Sequence, residues 1–301
     1  MSHPTPIKPY SAKRIPAMDS FDPFFPYDEY RPHQREMLAF AAEVAREGGL
    51  MAPATVLERC ATGIEGLDNI LGGGIPRGNM VLVAGSVGTG KTTLCLEFLV
   101  RGAERGERSL FVSVTESSTK LIQNLSTFEF FRKDLIEDGS LVFVDLPSLY
   151  DRLGLGKEEL SSEEVDILIR TISDMVRSLG VRRLVLDSLT SVCYRIRKDE
   201  QIRDFMLRLG QELNDAGCSS LLVSEIGPTP GRYSLHGVEE AIVDGVILLW
   251  NTRRMGDILR VIQIVKMRGT AHSRAQYVIE LTPIGMLMAP HLKGGRAEGG
   301  L

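Results

Sequence analysis

The sequence predicts an α/β fold with a mainly parallel sheet flanked by helices. From about residue 60, short apolar runs typical of buried strands alternate with segments whose apolar residues recur at helical spacing. The first run, MVLVAG at 80–85, leads into a glycine-rich loop and the helical segment TTLCLEFLVRGAE. The final apolar runs follow one another without helical segments, which predicts antiparallel strands at the C-terminal edge of the sheet.

Composition is that of an ordinary globular protein. The 301 residues are 43% hydrophobic, enough to bury one sizeable core. The 39 acidic and 35 basic residues give a net charge of −4, so no global basic field draws the chain to nucleic acid or anionic lipid. No apolar run approaches the ~20 residues that span a bilayer, and the first residues lack the apolar core of a signal peptide. We therefore expect a cytoplasmic protein with no membrane partner.

The chain divides into three parts. Residues 1–59 form an extension in which seven of the 14 prolines precede residue 33, and RPHQREMLAFAAEVAREGG predicts one helix there. Residues 60–291 carry the strand–helix alternation. Residues 292–301 predict a flexible tail.

Six apolar runs predict the strands of the parallel part: MVLVAG, LFVSV, LVFVDL, RRLVLD, SSLLVSE and DGVILLW. Helical spacing between them is clearest over residues 165–179 and 202–213. ILLWNTRRMGDILRVIQIVKM predicts two strands joined near Met255, Gly256 and Asp257, and AQYVIELT begins a last pair. These strands predict a meander at one edge of the sheet.

The clearest motif is GSVGTGKT at 85–92, which matches GxxxxGK[ST] and lies between a predicted strand and a predicted helix. Its glycines let backbone N–H groups converge on phosphate oxygens, and the helix N-terminus adds partial positive charge. Lys91 is expected to reach the β- and γ-phosphates of a bound nucleotide, and the Thr92 hydroxyl to bind Mg²⁺. The residues expected to contact the nucleotide are Gly85, Ser86, Val87, Gly88, Thr89, Gly90, Lys91, Thr92 and Thr93.

A second magnesium ligand is predicted at Asp187, which closes the apolar strand LVLD. Because strand ends often carry a solvated or capping aspartate, this pattern alone is weak. Combined with the upstream loop, it predicts a metal-binding carboxylate.

Hydrolysis also needs a group that orients or deprotonates the attacking water, and Glu116 in LFVSVTESS is the candidate. The alternative is an acidic residue beside the N-terminus of the next helix, TKLIQNLSTF. The sequence leaves both interpretations open.

Several motifs together resemble the KaiC family of RecA-like ATPases: TGIEGLDNILGGGIPRGNMVLVAGSVGTGKTTL, FVSVTESSTKLIQNL, RRLVLDSLTSV, HGVEEAIVDGVILL and VKMRGTAH. The resemblance covers residues 60–291. It implies a RecA-type core, ATP with magnesium as the ligand, and rings, commonly hexamers, with nucleotide at the subunit interface. It also places Glu225 where RecA-like proteins have a γ-phosphate sensor, with a solvated strand-end acid as an equal alternative.

The late motif IVKMRGTAH contains three potential cations. In a strand, Lys266 and Arg268 share one face. Spacing alone leaves open whether they serve a site or discourage pairing at a sheet edge. The resemblance implies that both reach the γ-phosphate held by the neighbouring subunit, with His272 close by.

Two departures from the family pattern affect function. Clock-type KaiC proteins carry two such domains and autophosphorylate in the second, whereas this chain has room for one, so a clock autokinase is not expected. Where the family usually has two adjacent glutamates, this sequence has Thr115 and Glu116. If the missing carboxylate is the stronger base, turnover will be slow.

The extension contains FFPYDEYRPHQREML, which resembles the segment that opens XPD-like helicases. The favoured interpretation is a docking helix with Gln34 solvated. The alternative is that Arg31 and Gln34 fold back on a nucleotide base.

The sequence thus predicts a homo-oligomeric Mg-ATP-dependent ATPase that acts as a slow regulatory switch on an unknown protein partner. One alternative is a RecA-like recombination or repair mediator that binds single-stranded DNA weakly through two modestly basic loops, one after Asp187 and one after Glu225. Another is an ATP-binding scaffold with negligible turnover. The candidate DNA contacts are Tyr194, Arg195, Arg197, Lys198, Arg232, Tyr233 and His236.

Overall fold

The computed structural model of the protein describes residues 57–153, 159–226 and 232–291. The helix predicted in the extension, the segment resembling XPD-like helicases and the tail at 292–301 lie outside these residues.

The described chain forms a nine-stranded sheet and a separate two-stranded ribbon. The ribbon pairs β1, Arg59–Cys60, with β2, Ile75–Pro76. The strands of the large sheet are β3 Met80–Gly85, β4 Ser109–Ser113, β5 Leu141–Asp145, β6 Arg183–Asp187, β7 Ser219–Glu225, β8 Gly245–Arg254, β9 Asp257–Met267, β10 Tyr277–Thr282 and β11 Gly285–Pro290. Their order across the sheet is β11-β10-β9-β8-β3-β7-β6-β4-β5.

The sheet has a parallel part and an antiparallel part. Strands β3 to β8 run parallel to their neighbours within this group. Strands β9, β10 and β11 continue from β8 as an antiparallel meander, and the β8–β9 turn lies at Met255 and Gly256. Both parts confirm the predicted fold class.

Helices cover both faces of the sheet. Alternate side chains of β3 enter two different cores: Val81 and Val83 pack with α2, whereas Leu82 and Ala84 pack with α6, α7 and α8. The helices are α1 Glu65–Ile70, α2 Lys91–Ala103, α3 Ser118–Leu125, α4 Asp134–Glu137, α5 Leu146–Leu153, α6 Ser162–Leu179, α7 Leu189–Ile196, α8 Asp199–Asp215 and α9 Glu239–Ile242. All four cysteines are buried in these cores, and burial raises the pKa of each thiol.

One prediction about the path of the chain is wrong. The segment after Asp187 is helix α7, not a loop. Ser188 caps this helix, because its hydroxyl accepts a hydrogen bond from the Ser191 amide at 3.3 Å. The i, i+3, i+4, i+7 spacing of Leu189, Val192, Cys193 and Ile196 carried this signal, and all four side chains are buried.

Helix α6 begins with a reciprocal capping box. The Ser161 hydroxyl accepts a hydrogen bond from the Glu164 amide at 3.2 Å, and the Glu164 carboxylate accepts one from the Ser161 amide at 2.7 Å.

We expect Ser161→Ala to lower the free energy of unfolding by about 1 kcal/mol, measured by urea denaturation. Ser178→Ala, in the last turn of the same helix, is the control and should change it by less than half as much.

Candidate active site

The phosphate-binding loop connects β3 to α2 at the edge of the sheet where the parallel strands end. Gly88 and Gly90 have φ values of 76° and 96°, a region that residues with a Cβ rarely adopt. A Cβ at Gly85 would lie 2.4 Å from the Leu249 carbonyl oxygen of the neighbouring strand. The glycine spacing of the motif therefore reflects backbone conformation at two positions and close strand packing at the third.

Lys91 lies inside this loop and is 8% exposed. Its Nζ donates hydrogen bonds to the carbonyl oxygens of Gly85 and Ser86, each at 2.8 Å. Burial lowers the pKa of the amine, and the negative charges of Glu225 and Asp187 oppose that shift. The ammonium group is thus held at the start of α2, where phosphate oxygens can replace the two carbonyls.

The two predicted magnesium ligands are in direct contact. The Thr92 hydroxyl donates a hydrogen bond of 2.7 Å to Asp187 Oδ2, although 95 residues separate them in the chain. Burial raises the pKa of Asp187, while the hydrogen bond from Thr92 and the charge of Lys91 oppose the shift. A hydroxyl and a carboxylate are the hard oxygen ligands that Mg²⁺ prefers, so these residues fit the ion.

Glu116 lies in the loop between β4 and α3, and its side chain is 40% exposed. Its carboxylate forms an ion pair with Lys120 at 3.3 Å. The helix cap is Ser117, whose hydroxyl accepts a hydrogen bond from the Lys120 amide at 3.4 Å. Glu116 therefore does not cap α3. Burial is the main cause of the raised pKa of Asp187, and the charge of Glu116 is a lesser one.

A cleft of about 400 Å³ joins these groups. Its apolar wall consists of Leu96, Phe111, Leu121, Leu125 and Phe128, and its polar wall includes Lys91, Thr92, Thr93, Glu116, Asp187 and Glu225. The cleft combines a cationic phosphate loop, a hydroxyl–carboxylate pair that fits Mg²⁺ and an exposed carboxylate.

Glu225 is exposed at the end of β7, next to the strand that carries the loop. Its amide donates a hydrogen bond of 2.9 Å to the Thr190 hydroxyl, which fixes the backbone, and its carboxylate lies among the cleft residues. This position is compatible with a sensor of the terminal phosphate.

Arg260 is a site residue that sequence reasoning missed. From β9, its Nε donates a hydrogen bond of 3.2 Å to the Gly88 carbonyl oxygen in the phosphate loop. A Cβ at Gly90 would lie 3.2 Å from the Leu281 side chain of β10. The antiparallel strands therefore brace the loop from one side, which only their register could reveal.

Lys266 and Arg268 lie away from this cleft. Gly85, at the end of β3, is beside Leu249 of β8, whereas Lys266 pairs with Val246. Three residues along a strand correspond to roughly 10 Å, towards the opposite end of the sheet. The structure thus groups Lys91, Thr92, Glu116, Asp187 and Glu225 but does not bring Lys266 or Arg268 to them within one chain.

The environments of the two cations differ. Lys266 Nζ donates hydrogen bonds to the carbonyl oxygens of Glu240, Ala241 and Val243 at 3.2, 3.4 and 2.6 Å. Burial lowers the pKa of this amine, and the charge of Arg268 lowers it further. The Arg268 side chain is 57% exposed and has an ion pair of 3.3 Å with Asp244. Arg268 is therefore the more accessible of the two.

His272 is half-buried in the turn that follows Arg268. Its Nδ1 lies 3.1 Å from the Ser273 carbonyl oxygen. It lies on the same connecting segment as Arg268, before β10 begins.

Three of the seven residues considered for DNA contact have charged or aromatic partners among the described residues. Arg195 lies 3.9 Å from the ring centre of Tyr150, and Arg197 forms an ion pair of 3.3 Å with Glu159. His236 Nδ1 is 3.1 Å from Asp199. Tyr194, Lys198 and Arg232 are exposed, and Tyr233 is half-buried. The basic loop predicted after Asp187 is instead a helix with engaged arginines.

Comparison with known proteins agrees with the geometry of the cleft. A family model described as "ATPase: KaiC" matches residues 60–293. The chain belongs to the KaiC family of ATPases. Within the described ranges, no helix has the length and apolar character needed to span a membrane.

The relatives include proteins matched over nearly their whole length and proteins matched over less than half of it. A UPF0273 protein of Pyrococcus furiosus is 33% identical over 250 residues, covering 80% of this chain and 98% of that protein. The circadian clock oscillator protein KaiC of Synechococcus elongatus is 30% identical over 235 residues, 78% of this chain but 44% of its own length. The crystal structure of a KaiC-like protein from Pyrococcus horikoshii aligns with a TM-score of 0.67 at 32% identity, covering 78% of this chain and all of that one.

The raised pKa of Asp187 predicts a pH dependence of Mg-ATP binding. Mg²⁺ binds the ionised carboxylate, so affinity should fall as pH decreases through this pKa, by up to about tenfold per pH unit below it. An exposed aspartate would titrate at lower pH. The measurement is calorimetric titration from pH 8 to pH 5, with and without Mg²⁺. Because the γ-phosphate of ATP also titrates in this range, Asp187→Asn is the control. A Mg²⁺-dependent pH profile that is identical in this variant and in the wild-type protein would contradict the assignment.

Proposed function

We propose that the protein binds Mg-ATP and hydrolyses it slowly at the subunit interfaces of a cytoplasmic homo-oligomer, as a nucleotide-gated regulatory switch. The observation that carries this proposal is the contact of Thr92 with Asp187 directly after the buried Lys91. It joins the phosphate-binding and metal-binding elements in one cleft. The KaiC family match supports an ATPase with this core.

Each residue of the cleft has a separate task in this mechanism. Loop amides and Lys91 bind the β- and γ-phosphates, and Thr92 and Asp187 hold Mg²⁺. When bound, the metal neutralises the developing charge on the phosphate oxygens. Arg260 keeps the loop open in its binding conformation through the Gly88 carbonyl.

Glu116 positions the attacking water. Its exposed carboxylate lies in the same cleft as the phosphate loop and Asp187, and its charge adds to the raised pKa of Asp187. Thr115 cannot accept a proton as a carboxylate does, so one acid–base group rather than two serves the water. Slow turnover follows from that difference.

The second half of the site comes from a neighbouring subunit. Arg268 lies too far along the sheet to reach the phosphate loop of its own chain, whereas its exposed guanidinium can meet another by exchanging its ion pair with Asp244. Lys266 must first exchange three carbonyl oxygens for phosphate oxygens. ATP would thereby link assembly, commonly a hexamer in similar proteins, to a state that a protein partner recognises.

We expect Glu116→Gln to lower kcat at least about tenfold with little change in ATP affinity, because a water-positioning carboxylate acts on the transition state. Thr115→Glu should raise kcat if the missing carboxylate limits the rate. Steady-state phosphate release and calorimetry measure the two quantities. Lys120→Gln, which removes the ion-pair partner of Glu116, controls for a purely structural effect.

If both Glu116→Gln and Thr115→Glu leave kcat unchanged, Glu116 does not handle the water. Turnover at background level in the wild-type protein, together with tight ATP binding, would instead support a nucleotide-gated scaffold.

A mixture of two inactive variants tests the subunit interface. Lys91→Ala should lose most ATP affinity, because the full positive charge on the terminal phosphates is removed. Arg268→Ala should bind ATP but lose about 10³ in rate, as for arginine fingers supplied in trans. In mixed oligomers an intact loop can meet an intact Arg268, so activity should return. Mixed oligomers that form and stay inactive would show that Arg268 does not act across the interface.

A further inference from the structure

We infer that Arg59 is a positioning residue for the interface cation: it fixes the turn at Gly269 and Thr270 and so presents Arg268 to the nucleotide of the neighbouring subunit. This inference rests on the proposed function. It assigns a role to a side chain 209 positions before Arg268, far from any recognised nucleotide motif.

The Arg59 guanidinium connects two otherwise separate segments. Nη1 donates to the Thr270 hydroxyl at 2.9 Å, and Nη2 lies 3.5 Å from the Gly269 carbonyl oxygen. Nη1 also lies 3.0 Å from the Gly74 carbonyl oxygen and 3.2 Å from that of Leu71. One planar group therefore ties the turn after β9 to the loop that follows α1.

Arg59 forms no ion pair with the residues that the structure describes. The acceptors around its guanidinium are three carbonyl oxygens and a hydroxyl. Arg77, which follows the other strand of the same ribbon, has the common arrangement and pairs with Glu58 and Glu107 at 3.1 and 2.6 Å. A guanidinium surrounded only by neutral acceptors acts as a multidentate clamp, for which its five N–H donors in a fixed plane are suited.

The turn needs such a clamp because it has little regular structure of its own. Strand β9 ends at Met267, and Gly269 has a φ of 72°. Its other anchors include the Arg268 amide, which donates to the Asp244 carbonyl at 2.8 Å, and the Ser273 amide, which donates to the Ile70 carbonyl at 3.0 Å. Asn79 Nδ2 also lies 3.5 Å from the Arg268 carbonyl oxygen. Between these anchors, Arg59 supplies the fixed point, and its loss would leave the fold intact while releasing the turn.

Loss of Arg59 should affect one of the two roles of a protomer at the interface and spare the other. Arg59 contacts the side of the protomer that supplies Arg268, and none of its hydrogen bonds to described residues reaches the phosphate loop. Its removal should therefore impair a protomer as a donor of Arg268 but not as a binder of ATP. A residue that merely stabilises the fold would impair both tasks equally. This difference makes the inference testable in mixed oligomers.

The experiment compares full-length Arg59→Ala, Arg59→Lys and Thr270→Val with Arg77→Ala as the control. We expect Arg59→Ala to lower kcat about tenfold with ATP affinity within about twofold of wild type, and Arg59→Lys to recover only part of the loss. Thr270→Val should lower kcat by about threefold, and combining it with Arg59→Ala should add little further loss, because both changes remove the same contact. Arg77→Ala should leave kcat unchanged.

Mixing decides which side of the interface is affected. Arg59→Ala mixed with Lys91→Ala should exceed the mean activity of the two proteins, because an intact loop meets an intact donor. Arg59→Ala mixed with Arg268→Ala should show no gain, because every interface then contains a defective donor. Gain in the second mixture but not the first would overturn the inference, as would equal kcat losses in Arg59→Ala and Arg77→Ala.

The outcomes for Arg59 and for the proposed function can be separated. Failure of the Lys91→Ala and Arg268→Ala mixture indicates that Arg268 does not act across the interface, which removes the premise of the inference. Success of that mixture with unchanged kcat in both Arg59→Ala and Thr270→Val overturns the role of Arg59 alone. If Arg59→Ala fails to fold by circular dichroism, Thr270→Val carries the same test, and unchanged kcat in it counts against the inference.

Discussion

The hydrogen bond from the Thr92 hydroxyl to the Asp187 carboxylate joins the first turn of α2 to the end of β6, two strands away from β3 in the sheet. It can form only because β3, β7 and β6 run parallel, so that their carboxyl ends meet at one edge. Both core layers serve this arrangement, since α2 packs on one face of β3 and α7, which begins just after Asp187, packs on the other. The geometry of the cleft is therefore a consequence of sheet register.

The electrostatics of the cleft reflect the same burial. Desolvation acts in opposite directions on the two charged groups, lowering the pKa of Lys91 and raising that of Asp187. Each charge partly offsets the shift of the other. Bound phosphate and metal would complete the neutralisation, because each brings the charge that the buried group lacks. The protein alone holds these groups in a less favourable state than the complex does.

The sequence was sufficient for the fold and for the cleft because both depend on local patterns. The GxxxxGK[ST] loop, the apolar strand that ends in Asp187 and the alternation of strands and helices are readable over a few residues. Arg260 and Arg59 were not readable in this way. Their contacts, with Gly88 and with Thr270, join residues 172 and 211 positions apart and depend on the register of the edge strands and on the ribbon. Likewise, the strand pattern placed Lys266 and Arg268 on one face. Only the structure shows that Lys266 packs against α9 while Arg268 is exposed.

The phosphate loop and Arg268 lie at opposite ends of the sheet, and this placement bears on the symmetry with which protomers can associate. If these two surfaces meet head-to-tail between protomers, the association is heterologous. In such an assembly only a closed ring completes every site, and an open chain of protomers always leaves one terminal nucleotide without its arginine. Ring closure would then be the step at which the last subunit becomes an active enzyme.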